Sequence, residues 1–395
     1  MAGVCGRLIV APLGVRGIRR RSQRRKGWTI KPCLGLCCGW LLAAMPSTCL
    51  ADDYEVAYST YPGGSGREDT ARAVAVDTDE NIFVAGGTTS ADFPTTPGAY
   101  DREYGAGGRS VGSRGPMDVF VTKLDPRGRI VWSTYFGTPG KSTVRDMDID
   151  SQGNVYVSMI ELKQPSAHIT RGAFQERPPG GIDSLVAKIS ATGSRVIWCS
   201  YLGGSGRDLA PSLRIDADGH AVVAGSTFSD DFPVSDGAFQ TQPAGKQDAF
   251  VAKFSADGSR LVFSTRLGGS QEDGATGKHG LALDRMGRPY VVGFTSSADF
   301  PTTPGAFQRR YAGGMTGPWR QTGDRFVAVL SADGSQLDAC TLIGGGARDG
   351  GEGIEVGPTG RIYLGGLTFS TDFPTTPGAI AALPGIGRFH RSGKS

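Results

Sequence analysis

The chain has 395 residues, 61 of them Gly, with 38% apolar residues and a formal net charge of +4. That length supports a full-sized core, and Gly at about twice its usual share without a Gly-X-Y period excludes a collagen triple helix. Residues 1–51 hold nine of the 42 Lys+Arg and none of the 38 Asp+Glu, so the rest has 33 basic against 38 acidic side chains, a net charge of −5 that leaves no case for nucleic-acid binding.

The N-terminus is basic from Arg7 to Lys31, apolar from Cys33 to Ala44, then small across Ser47-Thr48-Cys49-Leu50-Ala51. This order predicts a secretory signal peptide over 1–51, cleaved after Ala51; the apolar run is short for a bilayer span. The mature chain, 52–395, is then expected to be secreted, periplasmic or on the cell surface, with no transmembrane segment left after cleavage. Five of the seven Cys lie in the leader. Cys199 and Cys340 share one repeat position with Ser59, Ser133 and Ser264. Equivalent positions of separate repeats stand far apart, so both are expected to be free and buried, and neither has metal-ligand spacing.

From Tyr54 onward the sequence repeats. ARAVAVDTDENIFVAGGTT (71–89) is matched by DMDIDSQGNVYVS (146–158), SLRIDADGHAVVAGST (212–227), LALDRMGRPYVVGFT (281–295) and GIEVGPTGRIYLGGLT (353–368). DVFVTKLDPRGRIVWSTYFG (118–137) returns at 183–203, 248–268 and 324–344. Each piece alternates apolar and polar residues, turns on a Gly such as Gly219, Gly258 or Gly334, and alternates again: a hairpin of half-buried strands. Two hairpins per period of about 70 residues make four strands per unit, and no helical periodicity interrupts them.

Between the hairpins stands SADFPTTPGAY (90–100), repeated as SADFPTTPGAF (297–307) and STDFPTTPGAI (370–380), and more loosely as SDDFPVSDGAF (229–239). Pro after Phe93, Phe232, Phe300 and Phe373 forces an extended exit, and Thr-Pro-Gly suits a type II turn. Asp before Phe can cap backbone amides. The motif reads as a rigid corner, its aromatics wedged between units. The recurrent acid at Asp69, Asp208, Asp273 and Asp349 is expected to cap a loop beside a Gly-rich close approach.

Tandem four-stranded units predict an all-β β-propeller, each unit one blade; a β-solenoid has shorter periods and fewer strands per turn. Units read from the STYLGG element run 59–132, 133–198, 199–263 and 264–340, with a partial unit 341–380 completed by strand 54–60. That frame gives five blades or an incomplete ring. SYLGGSGRD (200–208), SADFPTTPGAF (297–307) and DAFVAKFSADGS (248–259) together resemble the SBBP-type β-propeller repeat family of bacterial secreted and cell-surface proteins. The resemblance covers about 58–380. It implies a propeller and an exported location, and no settled activity.

Candidate chemistry is sparse. His168, His220, His279 and His390 have no catalytic spacing, and His220 takes a turn slot that Asn81 and Asn154 fill elsewhere. The Asp-rich turns at Asp77 and Asp79, Asp148 and Asp150, and Asp216 and Asp218 are weak calcium candidates without the full EF-hand set, so turn chemistry is the reading and no metal or cofactor is expected. Tyr311, Trp319 and Arg320 lie in a variable insertion suited to ligand contact. The expected function is therefore binding or scaffolding toward an extracellular protein or glycan. A lyase or hydrolase built at the central funnel, or a fragment of a longer repeat protein, is the alternative.

Overall fold

The computed structural model describes residues 59–60, 62–105, 117–137, 142–162, 166, 168–275, 277, 279–313 and 323–377. The leader expected at 1–51, the strand at 54–60 except residues 59 and 60, and the candidates Trp319 and Arg320 lie outside the described residues. Contacts divide the chain into Met1–Tyr61 and Pro62–Ser395, and the fold below is that of the second unit.

The described residues form strands and no helix. The first sheet runs β1 (Asp69–Val76), β2 (Ile82–Thr88), β3 (Asp118–Leu124) and β4 (Ile130–Tyr135) in spatial order. The second repeats it with β5 (Ser142–Ile149), β6 (Val155–Leu162), β7 (Ile182–Ile189) and β8 (Val196–Leu202). The third uses β9 (Asp208–Ile215), β10 (Ala221–Thr227), β11 (Asp248–Phe254) and β12 (Leu261–Leu267). In the fourth, the first strand is broken into β13 (Asp273–Gly274) and β14 (Leu281–Leu283), both paired with β15 (Pro289–Thr295), followed by β16 (Asp324–Leu330) and β17 (Leu337–Ile343). The last sheet is the hairpin β18 (Asp349–Val356) and β19 (Ile362–Thr368). Every strand pairing within these sheets is antiparallel; isolated parallel bridges link Ile182 to Arg207, Gln247 to Glu272 and His279 to Gly353 between sheets. Ser133, Cys199 and Ser264, which open units read from the sequence, and Cys340, which ends the unit 264–340, sit inside the fourth strand of a sheet.

The first strands of successive sheets pack side by side: β1 on β5, β5 on β9, β9 on β14 and β14 on β18. They form an inner layer, and the fourth strands lie outermost. Apolar layers fill the space between sheets. Phe83, Val119 and Trp132 meet Val155, Leu185 and Cys199. Tyr156 and Trp198 meet Val223, Phe250 and Phe254, and Val222 and Phe263 meet Val291 and Phe326. With both faces covered, β10, β11, β15 and β16 are buried along their whole length, which is why they read as nearly continuous apolar runs. This is the blade-on-blade arrangement of a β-propeller.

Turn chemistry follows the sequence. Gly98 and Gly305 hold φ of +78° and +84°, and Ala99 N donates to Thr96 O at 3.2 Å, the closing bond of a type II turn. Glu80 is the exception. It adopts φ 62° at the hairpin slot where Gly153, Gly219, Gly287 and Gly360 stand in the other sheets.

The corner motif differs from its expected role in one respect. Phe93, Phe232 and Phe300 stack within their own sheet, on Phe120, Phe250 and Phe326, at centroid distances of 4.3, 4.5 and 4.7 Å. The final aromatic of the motif bridges sheets. The backbone N–H groups of Tyr100, Phe174 and Phe239 donate to Gly193, Gly258 and Gly334 of the following sheet's outer hairpin. A fourth-strand aromatic completes the joint: Trp132 and Trp198 donate their indole N–H to Ala191 O and Ala256 O of the same hairpins, at 2.8 and 3.0 Å. A Cβ on Gly193, Gly258 or Gly334 would come within 2.4 Å of Trp132, Trp198 or Phe263. Among the described residues, this joint has no partner hairpin at the far end. The described part of the last sheet has no outer hairpin, and Phe307, the equivalent aromatic, is 71% exposed.

Candidate functional site

The recurrent acids hold the Gly-rich loops. Asp208 Oδ2 accepts from Gly204 N and Ser229 Oγ, both within 2.8 Å, and Asp69, Asp273 and Asp349 make the same pair of bonds to Gly64 and Ser90, Gly269 and Ser297, and Gly345 and Ser370. The corner Asp caps the same loop from its other side: Ser65 N bonds Asp92, Ser205 N bonds Asp231, Ser270 N bonds Asp299 and Gly346 N bonds Asp372. A Cβ on Gly204 would sit 2.5 Å from Asp231 Oδ1, so the glycine serves this close approach. The capping expected of both acids is what the structure shows.

The Asp-rich turns are Asx turns closed by a cation. Asp77 Oδ1 accepts from Asp79 N and Asn81 N; Asp150 from Gln152 N and Asn154 N; Asp216 from Asp218 N and His220 N. The second oxygen meets a third-strand lysine: Lys123 at 3.4 Å, Lys188 at 3.1 Å and Lys253 at 2.6 Å. These bonds hold the carboxyls of Asp77, Asp150 and Asp216 below the usual range against the opposing effect of burial. Asp216, Asp218 and His220 place one ligand atom each within 4.8 Å. Asp216 Oδ2 is already shared by His220 Nδ1 and the Lys253 ammonium. Asp79 and Asp218 point to solvent at the turn tips.

Asp148 belongs to a different set. Its Oδ2 accepts from Ile215 N, and Asp146 Oδ2 accepts from Leu213 N at 3.0 Å and pairs with Arg214 at 3.1 Å. Two carboxylates on β5 thus satisfy the edge amides of β9 in the next sheet. Burial raises both pKa values, against the Arg214 charge and those amide bonds. His279, with its side chain 53% exposed, lies 3.7 Å from Asp146. Sequence reasoning missed this group because the partners stand 67 or 68 positions apart. The available signal was that Asp146 and Arg214 do not recur. His168 is buried, its Nδ1 2.9 Å from Tyr100 Oη and its Nε2 2.8 Å from Gly137 O, with burial lowering its pKa. It cements the first sheet to the second.

Tyr311 is half-buried against the Phe300–Phe326 layer, and its neighbour Ala312 N bonds Asp324 Oδ2 at 2.7 Å. Tyr104 and Gly105 N bear the same relation to Tyr135 and Asp118 in the first sheet. Tyr311 is therefore part of a repeated arrangement. Burial pushes the Asp118, Asp273 and Asp324 carboxyls up to about 6. Cys199 and Cys340 are buried and not joined in a disulfide, as expected.

Comparison with known proteins agrees with this construction. The SBBP family, described as a beta-propeller repeat, matches residues 57–94 and 131–158. The regulatory protein FlaEY of Caulobacter vibrioides is 23% identical over 341 residues, 82% of this chain and 33% of its own, so the chain spans about a third of that relative. Among solved structures, a glucose dehydrogenase aligns at 14% identity over 64% of this chain and 90% of its own, with a TM-score of 0.27. A mutant Synechocystis apocarotenoid oxygenase aligns at 8% identity over 75% and 64%, with a TM-score of 0.28. At those TM-scores neither activity bears on this chain. Among the described residues no helix is long and apolar enough to cross a membrane.

Proposed function

We propose that this chain of SBBP β-propeller repeats is an exported binding or scaffolding module that engages an extracellular protein or a surface glycan. One observation carries the reading. The polar side chains that recur are committed to holding loops, turns and neighbouring sheets, while the stretches between the corner motif and the third strand differ in length and sequence from sheet to sheet. Those loops span 101–117, 175–181, 240–247 and 308–323. Loops carried on a rigid frame are where proteins place ligand contacts, and the frame here is repeated while the loops are not. The name regulatory protein borne by FlaEY accords with action through binding. The leader read at 1–51 supplies the exported location.

The test is a glycan array and a panel of purified envelope proteins probed with the full mature chain. Two variants carry Gly-Ser linkers in place of 106–116 and 314–322. A ligand held by the wild type and lost by either variant at an unchanged melting temperature supports the reading. Equal binding by all three, or catalytic turnover of a captured glycan, would point to the central-funnel enzyme instead. N-terminal sequencing of the exported protein should begin at Asp52.

A further inference from the structure

The inner strands carry an arginine cluster that the repeat does not explain. The pairing of each full first strand slips by one residue at the same place. In β1 the slip falls between Ala71 and Ala73, leaving Arg72 as the bulged residue; in β5 it falls between Val144 and Asp146, leaving Arg145. The corresponding bulges contain Pro211 in β9 and Glu352 in β18. A bulge re-aims its extra side chain, and bulges are common beside binding sites. β1 and β5 are neighbours in the inner layer, so the two bulges and their re-aimed arginines lie on adjacent strands. Arg207, in the loop before β9, adds a third charge. Burial first, then the charges of Arg72 and Arg207, lower the pKa of Arg145, with no carboxylate contributing.

Like charges gathered in a partly buried place are unfavourable unless something answers them. The Nε atoms of Arg72 and Arg145 are shut off from solvent and have no hydrogen-bond partner. The adjacent acid, Asp146, faces the other way and is spent on Leu213 N and Arg214. Guanidiniums present forked N–H pairs that match the oxygens of a carboxylate or phosphate.

We propose that Arg72, Arg145 and Arg207 form an oxyanion-binding site on the inner face of the first three sheets, taking the phosphate or carboxylate group of a small ligand. This site is independent of the variable connections and of the binding role assigned to them.

The test titrates the full mature chain with inorganic phosphate and with acetate, each against sodium chloride at equal ionic strength, by calorimetry and by melting temperature. One phosphate or acetate should bind per chain and raise the melting temperature, because a ligand held only by the folded state stabilises it. Arg145→Gln and Arg72→Gln should each weaken binding roughly tenfold or more. Without ligand each should melt at or above the wild-type temperature, since a repulsive charge is gone. Arg145→Lys keeps the charge and loses the fork, so it should fold normally and lose most of the affinity. The stronger of the two anions identifies the natural group. Shifts no larger than those with chloride, or affinity unchanged in all three variants, would overturn the proposal.

Discussion

Replacing Trp198 with Ala tests the joint between sheets directly. The ring is 2% exposed, stacks on Phe254 at 5.7 Å, meets Tyr156 edge-on at 6.1 Å, and donates its N–H to Ala256 O at 3.0 Å. Truncating a buried Trp to Ala costs about 3–5 kcal/mol from lost transfer energy and the cavity left behind. The two ring contacts account for about 0.5–1.5 kcal/mol of interaction beyond area burial, and the carbonyl freed at Ala256 sits on a hairpin turn where water can reach it. A loss of about 4 kcal/mol is therefore expected, a large part of the roughly 5–15 kcal/mol that holds a domain together. Urea denaturation followed by far-ultraviolet circular dichroism measures it without relying on tryptophan emission. A loss below about 1.5 kcal/mol with an unchanged denaturant slope would show that the ring does not join the second sheet to the third, since that is less than the lightest buried-aromatic truncation.

Other predictions concern the turns and the buried acids. Glu80→Gly should stabilise the fold by about 1 kcal/mol, because a left-handed backbone costs a side chain about that much; an equilibrium urea midpoint measures it, and no change would show that the turn is unstrained. For Asp118, Asp273 and Asp324 the folded pKa, about 6, lies above the ordinary 3.8 of an aspartate, so the stability they give is full below pH 4 and lost as pH rises through 6. Asp77, Asp150 and Asp216 are lowered and act oppositely, losing their contribution as pH falls below 4. Melting temperature should thus be higher at pH 5 than at pH 7.5, and Asp273→Asn should flatten that difference; an equal slope in the variant would reject the assignment. Cys340, pushed up to about 12 by burial, should resist a thiol reagent in the native state and react on denaturation. EDTA should leave the melting temperature unchanged, because Lys123, Lys188 and Lys253 already occupy the Asp-rich turns; a lowered midpoint would restore the calcium reading.

What the sequence disclosed was whatever physics requires in every copy. Alternation, glycine turns, the Thr-Pro-Gly corner and the buried Ser/Cys position recur because each sheet meets the same demand. The role of Phe93 was half legible: Pro fixes how the chain leaves the strand, but nothing local says that Phe120 lies beneath the ring. Contacts between sheets were the hardest to read. Leu213 N finding Asp146, or Trp198 lying over Gly258, depends on which sheets become neighbours and in what register. The arginine pair was hidden for a related reason: a bulge is a property of two paired strands, so Arg72 and Arg145 look like ordinary polar positions of an alternating strand.

Equivalent joints fuse the first four sheets into one propeller body on which the variable connections are displayed. Scanning calorimetry of residues 52–395 tests it most directly, by comparing the calorimetric enthalpy with the van't Hoff enthalpy of the same transition. Equal values in a single transition are predicted, since each joint couples one sheet to the next. A calorimetric enthalpy well above the van't Hoff value would mean that the sheets melt in separate blocks, and the account of the joints would be wrong.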